Sequence, residues 1–266
     1  SKVYKYHMKI LAVQNRMGIG DTVIFLPFIK ALFKKFNSPI SLLVKENSKA
    51  DQFLYQTNYI DKILLLERDN KTNNKHNGFF GSLNLIKEIK RYKFDKIFIF
   101  NSSFRFYLIA KLSRIPNIYQ YPLFKKSNQH ITDTAREFIK RNLNIDVNED
   151  PKIEIIDKVT NKINIDSKNT NILLGIGGSG PTKRIPSKTF IKVIDELSKE
   201  KKCNFYLATG KNNEEQIILK KILQSTNSKS CVALDGLSIK EILPIFDDLN
   251  RMVESAENSD TKNEDS

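Results

Sequence analysis

Short apolar runs alternate with longer amphipathic stretches along most of the chain, and that alternation predicts an α/β protein with parallel sheets. Lys9 to Gln14 (KILAVQ) has strand length and ends in a glycine-containing loop, NRMGIGD. After it, Ile24, Phe28, Leu32 and Phe36 recur on one helical face. Pro27 falls beyond the first turn of that helix, so a kink or local break is expected there. Pro39 to Val44, Lys62 to Glu67 and Lys96 to Phe100 read as further strands, with helical stretches such as Leu83 to Tyr92 between them. Asp69 to Gly78 is Asn/Lys-rich and reads as an exposed, mobile loop. Thr132 to Leu143 reads as a helix with Ala135, Phe138, Ile139 and Leu143 inward.

Asp146 to Asn169 is polar and irregular apart from Lys152 to Ile156, and reads as an interdomain connection. The pattern then restarts. Asn171 to Ile176, Asn204 to Thr209 and Cys231 to Leu234 are strands, and Thr189 to Ser198, Glu214 to Leu223 and Ser238 to Phe246 are helices. The expected division is residues 1–150, residues 151–249 as a partial second α/β domain, and an acidic tail over 250–266 with no apolar period, expected to be disordered.

Composition narrows the function classes. The 266 residues carry a formal net charge of +14 and 40% hydrophobic residues, which suits a folded protein with anionic partners. A Lys-, Asn- and Ile-rich, Trp-free composition of the kind an AT-rich genome produces accounts for the charge equally well. The basic residues are scattered and no nucleic-acid signature appears, so nucleic acid is not expected as a partner. No apolar run reaches transmembrane length: Val23 to Ile29 is cut short by Lys30. Cys203 and Cys231 lie in strand-like runs and are expected to be buried free thiols. The three histidines, His7, His76 and His130, are dispersed, so no metal centre is expected.

Two glycine loops follow strands. Gly18 and Gly20 precede a helix N-terminus, whose free N–H groups and dipole suit a phosphate. Asp21, just after them, reads either as a helix cap or as a general base at the carboxyl end of a sheet. Gly175-Ile-Gly-Gly-Ser179-Gly180 has the spacing G-x-G-x-x-G, but Pro181 and Pro186 delay the helix and no acid ends the next strand, which argues against a dinucleotide. Lys183 and Arg184 after the glycines suit phosphate oxygens, or are solvated charges on a turn. Glu214 and Glu215 read as ribose or adenine ligands, or as ordinary first-turn acids of a helix. Arg105, Lys111, His130 and Arg136 could serve an anionic acceptor.

The order of these pieces resembles a known family. Met8 to Phe36, with Gly20, Asp21 and Pro27, is similar to the amino terminus of heptosyltransferases, glycosyltransferase family 9. Lys93 to Pro122 resembles the family's later strand and Arg-bearing helix, Lys183-Arg-Ile-Pro186 its donor-phosphate loop, and Leu207 to Glu214 its Gly-x-x-x-Glu segment. The resemblance implies a GT-B fold of two Rossmann-like domains, the first binding the acceptor and the second the nucleotide-sugar. It implies inverting, metal-independent transfer of heptose from an ADP-sugar to a lipopolysaccharide core, with no further cofactor, in the cytoplasm or peripherally at the anionic inner face of the membrane. On this resemblance Asp21 would be the base, Ser179 and Lys183 would hold the donor diphosphate and Glu214 the nucleoside; from the residues alone, Gly18 and Gly20 are added to the donor-phosphate set and Arg105 and His130 are taken for the acceptor. The family's Asp-(Ser/Thr)-Gly-x-x-His element has no counterpart, because Asp260-Thr261 is followed by Lys262. The second domain is therefore expected to be incomplete after about Asp247. The competing expectation is an inactive remnant that only binds a glycolipid or a partner.

Overall fold

The computed structural model describes residues 8–16, 18–68, 74–123, 129–154, 163, 165–166, 168–177, 184–225 and 227–249. The chain divides into two units, residues 1–156 and 157–266, and both are α/β as expected. The expectations about the acidic tail, Ser179 and Lys183 fall outside the described residues.

Unit 1 holds five parallel strands in the order β3-β2-β1-β4-β5. They are β1 (Ile10–Gln14), β2 (Ile40–Lys45), β3 (Ile60–Leu66), β4 (Lys96–Ile99) and β5 (Asn117–Gln120). Its helices are α1 (Ile19–Phe36), the single turn α2 (Ala50–Phe53), α3 (Gly78–Tyr92), α4 (Phe104–Leu112) and α5 (Ile131–Leu143). All five residues of β1 are buried, as the central strand of a parallel sheet covered on both faces must be. Period two then sorts the neighbours. Leu11 and Val13 join Ile97 and Ile99 under α3 and α4, where Leu85, Ile89, Phe106 and Ile109 close the core. On the opposite face Phe98 and Phe100 meet Phe138 of α5, at 6.4 and 5.2 Å between ring centroids.

Three sequence expectations change here. No break occurs at Pro27: α1 runs through it without interruption. A proline inside a helix costs about 3 kcal/mol, but the residues around it, Phe25, Leu26, Phe28 and Ile29, are all buried, and their burial offsets that cost. The stretch 69–78 is not wholly an exposed loop, because His76 is fully buried and its Nδ1 accepts the Glu67 N–H at 3.1 Å. The expected connection from Asp146 begins as part of unit 1. Val147 is buried, and Lys30 and Lys34 of α1 pair with Glu154 and Glu149.

Unit 2 has three parallel strands, β6 (Thr170–Ile176), β7 (Cys203–Thr209) and β8 (Cys231–Ala233), with β7 in the middle. Its helices are α6 (Ser187–Glu200), α7 (Asn213–Leu223) and α8 (239–249). Phe205 and Leu207 point to Phe190, Ile194, Leu219 and Ile222 on one side, while Tyr206 packs with Leu234 and Ile245 on the other. Cys203 is buried as expected; Cys231 is only half-buried, and both thiols are free.

Candidate functional site

In unit 1 the chain order reverses at β1, which has β2 on one side and β4 on the other. Loops leaving the carboxyl ends of the strands diverge at such a switch point and leave a crevice. A cleft of about 760 Å³ lies there, lined by Asn15 and Arg16 after β1, Asn101 after β4, Tyr121 after β5, and Glu137 and Arg141 of α5. Its base is aromatic: Phe25 meets Phe100 edge-on at 5.3 Å, and Tyr121 meets Phe138 at 5.0 Å. Apolar rings below a polar rim suit a sugar, which offers both C–H faces and hydroxyls. Asn101 Nδ2 donates to Asn15 Oδ1 at 3.1 Å, and Gln120 Nε2 donates to the Asn101 and Ser103 carbonyls. Side-chain amides thus tie together the ends of the three strands that frame the cleft.

Asp21 stands in the first turn of α1, beside the cleft. It is not the cap. The cap residue is Gly18, at φ 97°, a left-handed conformation that a side chain would strain. The Asp21 carboxylate instead accepts a hydrogen bond from Arg16 Nε at 3.1 Å, and its side chain stays 27% exposed, open to a ligand. A Cβ at Gly18 or Gly20 would meet nothing within 4 Å, so space above this loop is open. The Tyr121 hydroxyl is buried and makes no hydrogen bond among the described residues. Burial pushes its pKa upward against the opposing pull of Arg16, which keeps it a neutral donor. Both amide atoms of buried Gln14, at the end of β1, are likewise unbonded among the described residues.

The other acceptor candidates lie elsewhere. Arg105 Nε donates to Ser82 Oγ at 2.9 Å and its Nη2 to the His76 carbonyl, so it ties α4 to the start of α3. His130 is the exposed cap of α5, its Nδ1 2.7 Å from Thr132 Oγ1. Neither is among the residues that line the cleft. Arg136 holds the Val147 carbonyl and Asp133, and Lys111 lies over the Tyr107 ring. Asn15, Asn101 and Tyr121 escaped the sequence reading. The available signal was their position just beyond the carboxyl ends of β1, β4 and β5.

In unit 2 the corresponding strand ends carry a carboxylate between two glycines. Glu215 of α7 is buried and accepts the Gly210 N–H at 2.9 Å. A Cβ at Gly210 would come within 2.7 Å of its Oε2, and one at Gly177 within 3.1 Å of its Oε1. A larger residue at either position would have to displace the end of the Glu215 side chain. Asn212 caps α7 by accepting the Glu214 N–H at 2.9 Å, which frees the Glu214 side chain from capping. That side chain pairs with Arg184, bringing together the Lys-Arg-Ile-Pro segment and the Gly-x-x-x-Glu segment. Among the described residues no three His, Cys, Asp or Glu side chains come together as a metal site. No helix among them is long and apolar enough to cross a membrane.

No protein-family model matches the chain, and no curated protein matches it by sequence. Solved structures do. A glycosyl transferase of family 9 from Veillonella parvula aligns with a TM-score of 0.67 at 19% identity, over 87% of this chain and 70% of that one. E. coli ADP-heptose lps heptosyltransferase II aligns at 0.63 and 15%, over 89% of this chain and 76% of that one. E. coli heptosyltransferase WaaC with ADP-2-deoxy-2-fluoro heptose aligns at 0.66 and 12%, over 90% and 79%. The chain has the fold of these proteins: two Rossmann-like α/β units, the GT-B type.

Proposed function

We propose that the chain is a glycosyltransferase that moves a sugar from a nucleotide-sugar to a saccharide acceptor, the donor being ADP-heptose and the acceptor a lipopolysaccharide core. The observation that carries this reading is Asp21: an accessible carboxylate, held by Arg16, beside an aromatic-floored cleft at the switch point of a sheet whose fold neighbours are heptosyltransferases. The acceptor hydroxyl gives its proton to Asp21 and its oxygen bonds to the anomeric carbon from the face opposite the leaving group. The bond from that carbon to the diphosphate oxygen breaks, ADP leaves with the electron pair, and the configuration inverts. Arg16 aligns the carboxylate, and the Tyr121 hydroxyl donates to the acceptor sugar. In unit 2, Ser179 and Lys183 take the diphosphate, and in unit 1 the Gly18–Gly20 loop at the start of α1 offers its free N–H groups to an anionic group. Glu214 takes the ribose while Arg184 passes from Glu214 to a phosphate oxygen. No metal or cofactor beyond the donor enters these steps, and the work takes place on the cytoplasmic side of the membrane.

The test is transfer of labelled heptose from ADP-heptose to a heptose-free lipopolysaccharide acceptor. Asp21→Asn should lower kcat at least about 100-fold while the ADP affinity measured by calorimetry is unchanged. Full activity in that variant removes Asp21 as the base. A chain that binds no ADP belongs to the binding-only alternative.

A further inference from the structure

Six of the large apolar side chains that remain exposed among the described residues lie on α3 and α4: Phe79, Phe80, Leu83, Phe104, Leu108 and Leu112. Isolated exposed apolar residues are ordinary, but a contiguous set marks an interaction surface. The two helices cover the same face of the sheet, and the Arg105–Ser82 hydrogen bond joins their first turns. Phe79 and Phe80 are 75% and 79% exposed, so they stand clear of the body while their rings touch at 5.8 Å.

The turn that presents these rings is firmly built. Gly81 sits so close to His76 that a Cβ there would fall 2.2 Å from the His76 carbonyl carbon. The His76 ring is buried between the Glu67 N–H and the Glu88 carboxylate, and its carbonyl takes the Arg105 guanidinium. Two phenylalanines on a fixed turn lose little conformational entropy on insertion into an apolar phase.

The surroundings are basic. Lys87, Lys90 and Arg91 on α3, Lys111 on α4 and Arg114 beyond it are all exposed. The one acidic residue on these helices, Glu88, is engaged by Lys75 and His76. Self-association through this face would oppose like charges, whereas an anionic bilayer matches it, with rings entering the acyl boundary and ammonium groups meeting phosphates. In addition, the His76 N–H bonds to the Glu67 carbonyl just past β3, which sets the start of α3, with the aromatic pair, at the carboxyl ends of the strands, the same edge of the sheet from which the cleft-lining Asn15, Asn101 and Tyr121 leave.

We propose that the α3–α4 face, led by Phe79 and Phe80, is a docking surface for an anionic phospholipid bilayer. Docking there would bring the cleft to a membrane-anchored ligand. The proposal does not depend on sugar transfer, and its test uses none. The chain contains no tryptophan, so Phe80→Trp introduces a lone indole at the tip of the surface. Its emission should shift to the blue with vesicles of phosphatidylethanolamine and phosphatidylglycerol, should be quenched by lipids brominated in the acyl chain, and should not respond to pure phosphatidylcholine. In co-sedimentation with the same anionic vesicles, F79S/F80S should bind at least about tenfold more weakly than the unmodified chain, with an unchanged thermal midpoint. K87E/K90E should remove the preference for anionic lipid. Three results would overturn the proposal: emission indifferent to anionic vesicles, F79S/F80S binding as tightly as the parent, or a dimer in solution that F79S/F80S dissolves, which would make the face a contact between copies.

Discussion

Glu214 and Glu215 are adjacent in sequence, yet one carboxylate faces Arg184 near the surface and the other is buried against Gly210. Either could be read from the sequence as a ligand or as a first-turn acid. What separates them is the Gly210 N–H bonded to Glu215 and the close approach of Gly177, just past the end of β6, and local spacing does not carry the latter. The seating of Glu215 has a measurable cost when disturbed. Gly210→Ala should destabilise the protein by about 1–3 kcal/mol, because its methyl group overlaps Glu215 Oε2. Glu215→Ala in that background should recover part of the loss. A denaturant double-mutant cycle reads the coupling, and strictly additive effects would reject the contact. Asp21 was legible for a different reason: a strand, a glycine loop and a helix start are contiguous there. Tyr121 and Gln14 were not legible, because their surroundings come from strands brought together only by the sheet. Arg105 pointed to an acceptor in the sequence, but it bonds the Ser82 hydroxyl and the His76 carbonyl, 23 and 29 residues away.

At the level of elements, the central strands were the most readable because burial on both faces leaves an uninterrupted apolar run, as in β1 and β2. β5 was missed for the converse reason. Asn117 to Gln120 is a partly exposed edge strand, held by pairing to β4 and by Tyr119 stacked on Phe98 at 4.6 Å. The start of α3 was placed late because Gly78 and Gly81 look like loop residues, although Gly81 is what lets the helix sit on His76. That junction is sensitive to pH through Glu88. Burial raises its pKa, but hydrogen bonds from Lys75 and His76 outweigh burial and the net shift is downward. A lowered folded-state pKa means that the stabilisation is present above the ordinary carboxylate value of about 4.3 and is lost as pH falls through the lower folded value. Glu88→Gln should therefore melt below the parent at pH 7, and the gap should close below about pH 4. A gap that is constant over that range would mean that Glu88 contributes by packing alone.

On the scale of the whole molecule, the restart of the α/β pattern marks two units, while the polar stretch from Asp146 begins within unit 1. Charges that look solvated in the sequence, Glu149 and Glu154, are spent on α1. The two sheets differ in how they hold their first strand. β1 is paired on both sides, whereas β6 pairs with β7 alone among the described residues and leaves Leu173 39% exposed. Edge strands open more readily than central ones, so amides of Ile172 to Leu174 should exchange at least about tenfold faster than those of Ile97 to Ile99. Equal protection in a monomer would show that the second edge of β6 is covered. The central place of β1 also has a consequence in time. Ile10 pairs with Lys96, so β1 cannot be enclosed on both sides until about 86 further residues have been made. At about 5–20 residues per second that is a delay of about 4–17 s. During it β1 has β2 on one side and lacks its partner β4 on the other, with α1 and α3 but not yet α4 and α5 available to cover it. A chaperone that recognises extended hydrophobic segments would find its best opportunity there, and it would lose it once β4 and α5 emerge. Unit 2 lies wholly downstream and takes no part in that wait.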